Sequence, residues 1–296
     1  MENSIREIAD DWLEEPSKNE RQRKHPNEIH RCNIITNYFG NKKFSELERR
    51  DAHEFKKYLK NSLGLSESTI QRYISTFNAI MNFGLESGLS STRIQIKTKQ
   101  VKGKETYLEP NELKKFIGQL DTLRANIAEF LTLTGQRKAN VINLKWSSLS
   151  DDLKEWTQSS DEMKNAEPNV LGIGTSAQNV LKRMWDRKER IEQSRPYLRG
   201  KIEYVFVQDN GKPLQATSLG NKRWKKAVQN SGVKKNITPH TLRHTFATLL
   251  AKDGVDIYQI KEAGGWKDLK SVTRYAHVNT AKKREIVGRL DAVLLQ

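Results

Sequence analysis

The sequence predicts a mainly α-helical protein with one small antiparallel β-sheet. Apolar residues recur at intervals of three and four through most of the chain, which is the period of an amphipathic helix. That period fails between Leu149 and Ile173, where short segments around Trp156 and Val170 are separated by polar and turn-forming residues. A length of 296 residues is sufficient for two domains, each with its own core.

The first predicted domain, residues 1–95, is helical, and residues 1–26 form its first helix and a polar connection. Asp51 and Glu54 have the spacing of a capping box and predict a helix start. Residues 91–105 lose the apolar period and carry five lysines and arginines, which is typical of an exposed connection. We therefore place a basic linker at residues 96–106 and a second domain, with a C-terminal tail, at 107–296.

The second domain is predicted to open with two helices and to continue with five more after the sheet. Pro110 suits the first turn of the opening helix, and the next helix runs through Ile127 and Phe130. The later helices are predicted over Ser176–Gln193, Thr217–Asn230, Pro239–Lys252, Ile257–Ala263 and about Leu269–His277. The tail carries an apolar stripe that packs either on its own domain or on a neighbouring copy: Ile286, Leu290, Val293 and Leu294.

The chain is strongly basic, with a formal net charge of +16 and a pI near 9.7. Polyanions are attracted to such a surface, and nucleic acid is the commonest of them because its binding releases counterions. Ribosomal proteins and polybasic membrane binders have similar totals, so the charge names no activity.

Cysteine usage and hydropathy predict a cytoplasmic protein with no membrane partner. Cys32 is the only cysteine, so an internal disulfide and a zinc finger are both excluded. The first helix is interrupted by acidic residues, and no stretch has the apolar length of a signal peptide or a membrane span.

Three short motifs in the second domain carry chemistry-bearing side chains. Residues 240–244 read His-Thr-Leu-Arg-His behind a predicted cap at Thr238, which places His240 and Arg243 on one helix face. Residues 134–137 read Thr-Gly-Gln-Arg at the end of an apolar run, and Gly-Gly-Trp at 264–266 precedes Tyr275 by nine residues counted from the tryptophan. Taken singly, these residues are typical of surface charges or core aromatics, but surface charges have no reason to recur in this order.

In this order the motifs resemble the catalytic domain of the tyrosine recombinases, the phage-integrase family. The resemblance implies a catalytic set of six residues: Arg137, Lys164, His240, Arg243, Trp266 and Tyr275. It also implies a helical core-binding domain followed by a mixed α/β catalytic domain, from about Asn27 to the C-terminus. The expected activity is site-specific cleavage and rejoining of DNA through a 3′-phosphotyrosyl link, for integration or excision of a mobile element.

The chemistry of that reaction accounts for the residue types. Attack on a phosphodiester adds negative charge to the phosphate oxygens, and the planar guanidinium groups of Arg137 and Arg243 suit those oxygens. His240 is the candidate acceptor for the proton of Tyr275, and Lys164 the candidate donor to the departing 5′-oxygen. Trp266 is expected to position the phosphate through its indole N–H. The reaction requires no metal and no cofactor.

Several positions depart from the family pattern or leave an alternative open. Asn140 replaces an acidic residue that is common in relatives, so a neutral hydrogen bond is expected to orient Arg137. Gly264 replaces a large aliphatic residue and is expected to loosen its turn. Lys154 is an alternative to Lys164, because hairpins vary in length. His244 is interpreted as structural, supporting its helix or Tyr275.

The expected partner is double-stranded DNA, bound by a homo-tetramer across two sites that forms from monomers or dimers, with accessory DNA-bending proteins as further partners. Two other functions remain open on the sequence. A type IB topoisomerase uses similar chemistry as a monomer, and a DNA-binding regulator could keep the fold without the activity.

Overall fold

A computed structural model describes residues 3–15, 25–89, 94–97, 106–158 and 169–276. The chain divides into two compact units, Met1–Gly103 and Lys104–Gln296. The described residues are mostly helical and contain one two-stranded antiparallel sheet. This confirms the predicted fold class.

The first unit is built from helices around a single apolar core. Its described elements are α1 (Ile5–Glu14), α2 (Pro26–Phe39), a 3-10 turn (Phe44–Glu46), α3 (Arg49–Asn61) and α4 (Glu67–Glu86). Helices α1, α2 and α4 pack against one another, and α3 packs on α4. Rings of Phe39, Phe55 and Phe77 meet in the core with centroids 5.3–6.0 Å apart.

The capping box predicted at Asp51 and Glu54 is wrong, because helix α3 begins earlier. Glu48 is its N-cap, and the Asp51 carboxylate accepts from the Glu48 backbone N–H at 2.8 Å. Glu54 instead accepts from Arg50 at 3.0 Å, one turn further along the helix. Two overlapping acidic pairs have the same spacing here, and the sequence does not distinguish them.

The second unit surrounds a larger core that includes Phe116, Phe130 and Trp224. Its helices are α5 (Pro110–Ile117), α6 (Thr122–Thr134), α7 (Lys138–Ile142), α8 (Thr175–Ser194), α9 (Lys222–Asn230), α10 (Pro239–Asp253), α11 (Ile257–Ala263) and α12 (Lys270–Thr273). Short 3-10 turns lie at Trp146–Ser148, Pro196–Leu198 and Ala216–Ser218. Helix α6 is central, because it packs against both α8 and α10.

The sheet of the second unit pairs β1 (Glu155–Gln158) with β2 (Asn169–Gly172). Gln158 lies opposite Asn169, so the connection between the strands leaves from this end of the ribbon. Trp156 and Leu171 lie opposite each other and are both buried in the core. Lys164 belongs to the connection and lies outside the described residues.

Two helices of this unit are shorter than predicted. Helix α9 begins at Lys222 and not at Thr217, because Gly220 has a φ of +98° and Asn221 caps the helix by accepting from Arg223 and Trp224 N–H. Helix α12 ends at Thr273, and His277 lies outside the described residues. Within the described ranges, no helix combines the length and apolar character needed to span a membrane.

Candidate active site

Arg137 stands at a sharp turn between α6 and α7. Helix α6 ends at Thr134 and is capped by Gly135, whose φ of +62° is the left-handed conformation that glycine adopts without strain. A Cβ at Gly135 would also lie 2.3 Å from Cδ1 of Phe246, so the site has no room for a side chain. The turn brings Arg137 to the N-cap of α7 with its side chain exposed.

Helix α10 presents His240 and Arg243 to the same region. Thr238 caps the helix through a box with Thr241, and Pro239 occupies the first turn, as predicted. A pocket of about 350 Å³ brings together the two segments and is lined by Gln136, Arg137, Lys138, Thr238, Pro239, His240 and Arg243. Three of the predicted site residues therefore share one pocket.

Arg243 is the most constrained side chain of the site. It is 3% exposed, and its Nη1 donates to the backbone carbonyls of Gly135 and, at 2.9 Å, of Gly264. Its guanidinium carbon lies 3.6 Å from the ring centroid of Trp266, a cation–π contact. Nη2 is buried and has no hydrogen-bond partner among the described residues. Burial and the neighbouring charge of Arg137 lower the pKa of Arg243 to about 9, so it remains a cation at neutral pH.

Tyr275 lies beside this arginine in a small apolar cluster that also contains Trp266. It is 3% exposed, its ring centroid is 6.3 Å from that of Trp266, and its hydroxyl is hydrogen-bonded to Nδ1 of His244. The interpretation that His244 supports Tyr275 agrees with this contact. The rings of His244 and His240 lie 4.2 Å apart, edge to face.

His244 is held in its neutral form. Burial, followed by the nearby charges of His240, Arg274 and Arg243, lowers its pKa to about 4. A neutral imidazole has one ring nitrogen that accepts a hydrogen bond and one that donates. His244 can therefore accept the hydrogen bond of the Tyr275 hydroxyl when its proton is on Nε2.

The base of the hairpin is joined to the turn that carries Arg137. Gln158 at the end of β1 donates through Nε2 to Oε1 of Gln136 at 3.1 Å, and both side chains are 2% exposed. Gln136 is a site residue that the sequence motifs do not predict, and its position next to Arg137 is its only sequence signal. Because the contact is buried, it holds this end of the ribbon at the candidate site.

This geometry separates the two lysines considered for the hairpin. Lys154 precedes β1 and forms an exposed ion pair with Asp152 at 3.0 Å. It stands roughly 13 Å along the strand from Gln158 at the usual rise per residue. The connection that contains Lys164 leaves from the Gln158 end, which favours Lys164 over Lys154.

Two expectations about departures from the family pattern need correction. No hydrogen bond joins Asn140 to Arg137 in the part of the chain that the structure describes. Gly264 does not loosen its turn: its carbonyl accepts from Arg243, and a Cβ there would lie 1.7 Å from Cζ3 of Trp266. Among the described residues, no group of three or more His, Cys, Asp or Glu side chains is placed to hold a metal ion.

This chain is similar to known proteins over both of its units. Residues 106–282 match the phage integrase family, and residues 4–100 match the phage integrase SAM-like domain. The tyrosine recombinase XerD of Listeria monocytogenes is 29% identical over an alignment of 252 residues, and the match covers 81% of this chain and 81% of the relative.

Two solved structures have the same fold. A lambda integrase tetramer bound to a Holliday junction gives a TM-score of 0.71 at 13% identity, over 93% of this chain and 78% of that one. The Tn1549 transposon integrase in complex with circular intermediate DNA gives 0.71 at 16% identity, over 96% and 99%.

The fold and the family matches define a tyrosine-type site-specific recombinase, which confirms the predicted enzyme class. The chain belongs to the phage integrase family. The regulator and topoisomerase alternatives are not favoured.

Proposed function

We propose that this recombinase cleaves DNA with Tyr275 as the nucleophile and conserves the bond energy in a 3′-phosphotyrosyl link. The observation that carries the proposal is the convergence of Arg137, His240 and Arg243 on one pocket, with Tyr275 held next to Arg243 by His244 and Trp266. The tyrosine oxygen forms a bond to phosphorus, and the bond from phosphorus to the 5′-oxygen breaks. A 5′-hydroxyl from a partner strand reverses the step without ATP.

The two arginines would bind the non-bridging oxygens of the scissile phosphate. Arg137 contributes an exposed guanidinium at the pocket, and Arg243 contributes Nη2, which lacks a partner among the described residues. A buried donor without a partner costs free energy, and a phosphate oxygen would satisfy it. Fixed positive charge at this point stabilises the extra charge of the transition state.

Two proton transfers complete the reaction. His240 lines the pocket and is proposed to take the proton of Tyr275, while Lys164 is proposed to give a proton to the departing 5′-oxygen. The tyrosine must first leave its hydrogen bond with His244, because that hydroxyl has to reach the phosphate. Trp266 supports the reaction by packing on both Arg243 and Tyr275.

We propose that the protein acts on double-stranded DNA as a tetramer across two duplexes. The lambda integrase relative is a tetramer on a Holliday junction, and the basic charge of +16 suits a DNA partner. In this assembly residues 1–95 would be the core-binding domain, 96–106 the linker and 107–296 the catalytic domain. The Tn1549 relative is a transposon integrase, which supports mobilisation of an element as the role of this chain, aided by accessory DNA-bending proteins.

The test uses supercoiled plasmids that carry one or two copies of the DNA flanking the gene. A recombinase converts the two-site plasmid into resolved or inverted products and leaves the one-site plasmid without such products. A type IB topoisomerase would relax both plasmids equally, and a regulator would bind both without changing them. Arg243→Lys provides the matched control, because it keeps the charge and loses the guanidinium.

A further inference from the structure

We infer that Gly264 is a positioning residue whose missing side chain allows a tryptophan at position 266 to pack on Arg243. This inference rests on the proposed function of Arg243. A Cβ built at Gly264 would lie 1.7 Å from Cζ3, 2.4 Å from Cε3 and 2.8 Å from Cη2 of Trp266. No pair of non-bonded carbon atoms approaches so closely. Any side chain at 264 must therefore displace the indole.

The backbone conformation does not explain this glycine. Gly264 has a φ of −93° and a ψ of 0°, a conformation found at the third position of type I turns that does not require glycine. Its neighbour Gly265 differs, because its φ of +62° is a left-handed conformation that favours glycine. Space for the indole is thus the specific requirement at position 264.

Displacing the indole would disturb Arg243 in particular. The ring centroid of Trp266 lies 3.6 Å from the guanidinium carbon, and Gly264 itself accepts from Nη1 at 2.9 Å. Phe246 lies nearly parallel to the indole, with ring centroids 6.3 Å apart, so the ring has a packed neighbour besides the arginine. A shift of the ring therefore moves the guanidinium or leaves it without its cation–π contact.

The atoms that meet the added Cβ all belong to the six-membered ring of the indole. A histidine side chain has only a five-membered ring, so Trp266→His removes these atoms. The effect of a side chain at position 264 should consequently depend on the residue at 266. The effects of substitutions at positions 264 and 266 should therefore be non-additive, whereas the effects of two independent surface substitutions add.

The experiment is a double-mutant cycle on the rate of covalent complex formation with nicked DNA at saturating concentration. Gly264→Ala should lower the rate roughly 10- to 100-fold in the Trp266 background, as expected for a misplaced catalytic group. In the Trp266→His background the same alanine should change the rate by no more than roughly twofold, the scatter of uncoupled substitutions. The dissociation constant for DNA should stay unchanged in all variants.

Gly174→Ala is the matched control, since Gly174 has an ordinary φ of −69° and a Cβ there meets nothing within 4 Å. It should leave the rate unchanged. An equal loss from Gly264→Ala in both backgrounds, or no loss in the Trp266 background, overturns the inference.

The same cycle on the free energy of unfolding separates this inference from the proposed function. If the wild type forms no covalent complex, the proposed function fails, while the pairing is still tested by stability. Gly264→Ala should then destabilise the Trp266 protein more than the Trp266→His protein. If Gly264→Ala alone does not fold, recovery of the folded protein in the double variant supports the pairing, and failure of both contradicts it.

Discussion

Arg243 and Arg137 stand at one pocket, yet their surroundings differ completely. Arg243 is buried, tied to two backbone carbonyls and covered by an indole ring, whereas Arg137 is exposed at a helix N-cap. Burial, together with the neighbouring charge of Arg137, lowers the pKa of Arg243 to about 9. In the proposed phosphate site, the protein itself therefore holds Arg243 in place, while the described residues leave Arg137 exposed for contact with DNA.

The largest effect that tests this comparison is expected from Arg243→Lys. A lysine keeps the charge but cannot bond two carbonyls, pack flat on an indole and still offer a donor to phosphate. We expect the rate of covalent complex formation to fall roughly 10²- to 10³-fold, as for loss of a transition-state donor. Single-turnover kinetics at saturating DNA measure this rate. A loss smaller than that from Arg137→Lys would reverse the comparison.

Arg137→Lys should have a smaller effect, because the exposed Arg137 side chain makes no hydrogen bond to a backbone carbonyl of the described residues, whereas Arg243 makes two. We expect roughly a tenfold lower rate, or about 1.4 kcal/mol of transition-state stabilisation. The salt dependence of DNA binding should be unchanged, since the charge is retained. A loss of rate equal to that of Arg243→Lys would show that the two arginines are equally organised.

These two arginines show which features of the site can be predicted from the sequence and which cannot. Motif order pointed to both residues, and capping signals at Thr238 and Pro239 placed Arg243 on its helix, because these features are local. No sequence pattern predicts that the Arg243 guanidinium donates to the carbonyls of Gly135 and Gly264, which are far from it in the chain. Such contacts depend on tertiary packing, which no local pattern encodes.

The same limit explains the errors at helix starts and at Gly264. Helix α9 begins late because Gly220 interrupts the chain in a left-handed conformation, whereas the apolar period alone extends to Thr217. From the family preference alone, Gly264 is expected to loosen its turn. The structure shows instead that a side chain at position 264 would clash with Trp266, two residues away. This clash is visible only once the side chains are placed.

Gly135→Ala tests whether the surroundings of Arg243 depend on the turn at Gly135, between α6 and α7. The added Cβ would lie 2.3 Å from Phe246, and the left-handed φ of +62° adds strain. We expect the free energy of unfolding to fall by roughly 2–4 kcal/mol, the sum of overpacking and backbone strain. Chemical denaturation followed by tryptophan fluorescence reports mainly on the second unit, since five of the six tryptophans lie beyond residue 106.

Gly200→Ala is the control for that experiment. Gly200 has a similar φ of +71°, but a Cβ there meets nothing within 4 Å. It should cost only the backbone strain, roughly 1 kcal/mol. Equal losses at the two glycines would mean that Phe246 yields without cost.

The smallest effect concerns the pH dependence of stability through His244. The pKa of His244 is about 4 in the folded protein, whereas an unperturbed histidine has a pKa of 6.5. At a pH between these two values, the unfolded chain therefore binds the proton and the folded protein does not. Stability should therefore decline as the pH falls from 6.5 towards 4. Denaturation at pH 7.5 and 4.5 should show a steeper decline for the wild type than for His244→Gln. Equal declines would mean that His244 is protonated in the folded protein.

The most direct test of the central claim is to locate the covalent bond to DNA. Wild type and Tyr275→Phe are incubated with nicked duplexes from the DNA flanking the gene, and SDS-resistant complexes are digested and analysed by mass spectrometry. We predict a nucleotide attached to the peptide that contains Tyr275, with no complex from Tyr275→Phe, although both proteins bind the duplex equally. A complex that persists in Tyr275→Phe, or an adduct on another residue, would contradict the account.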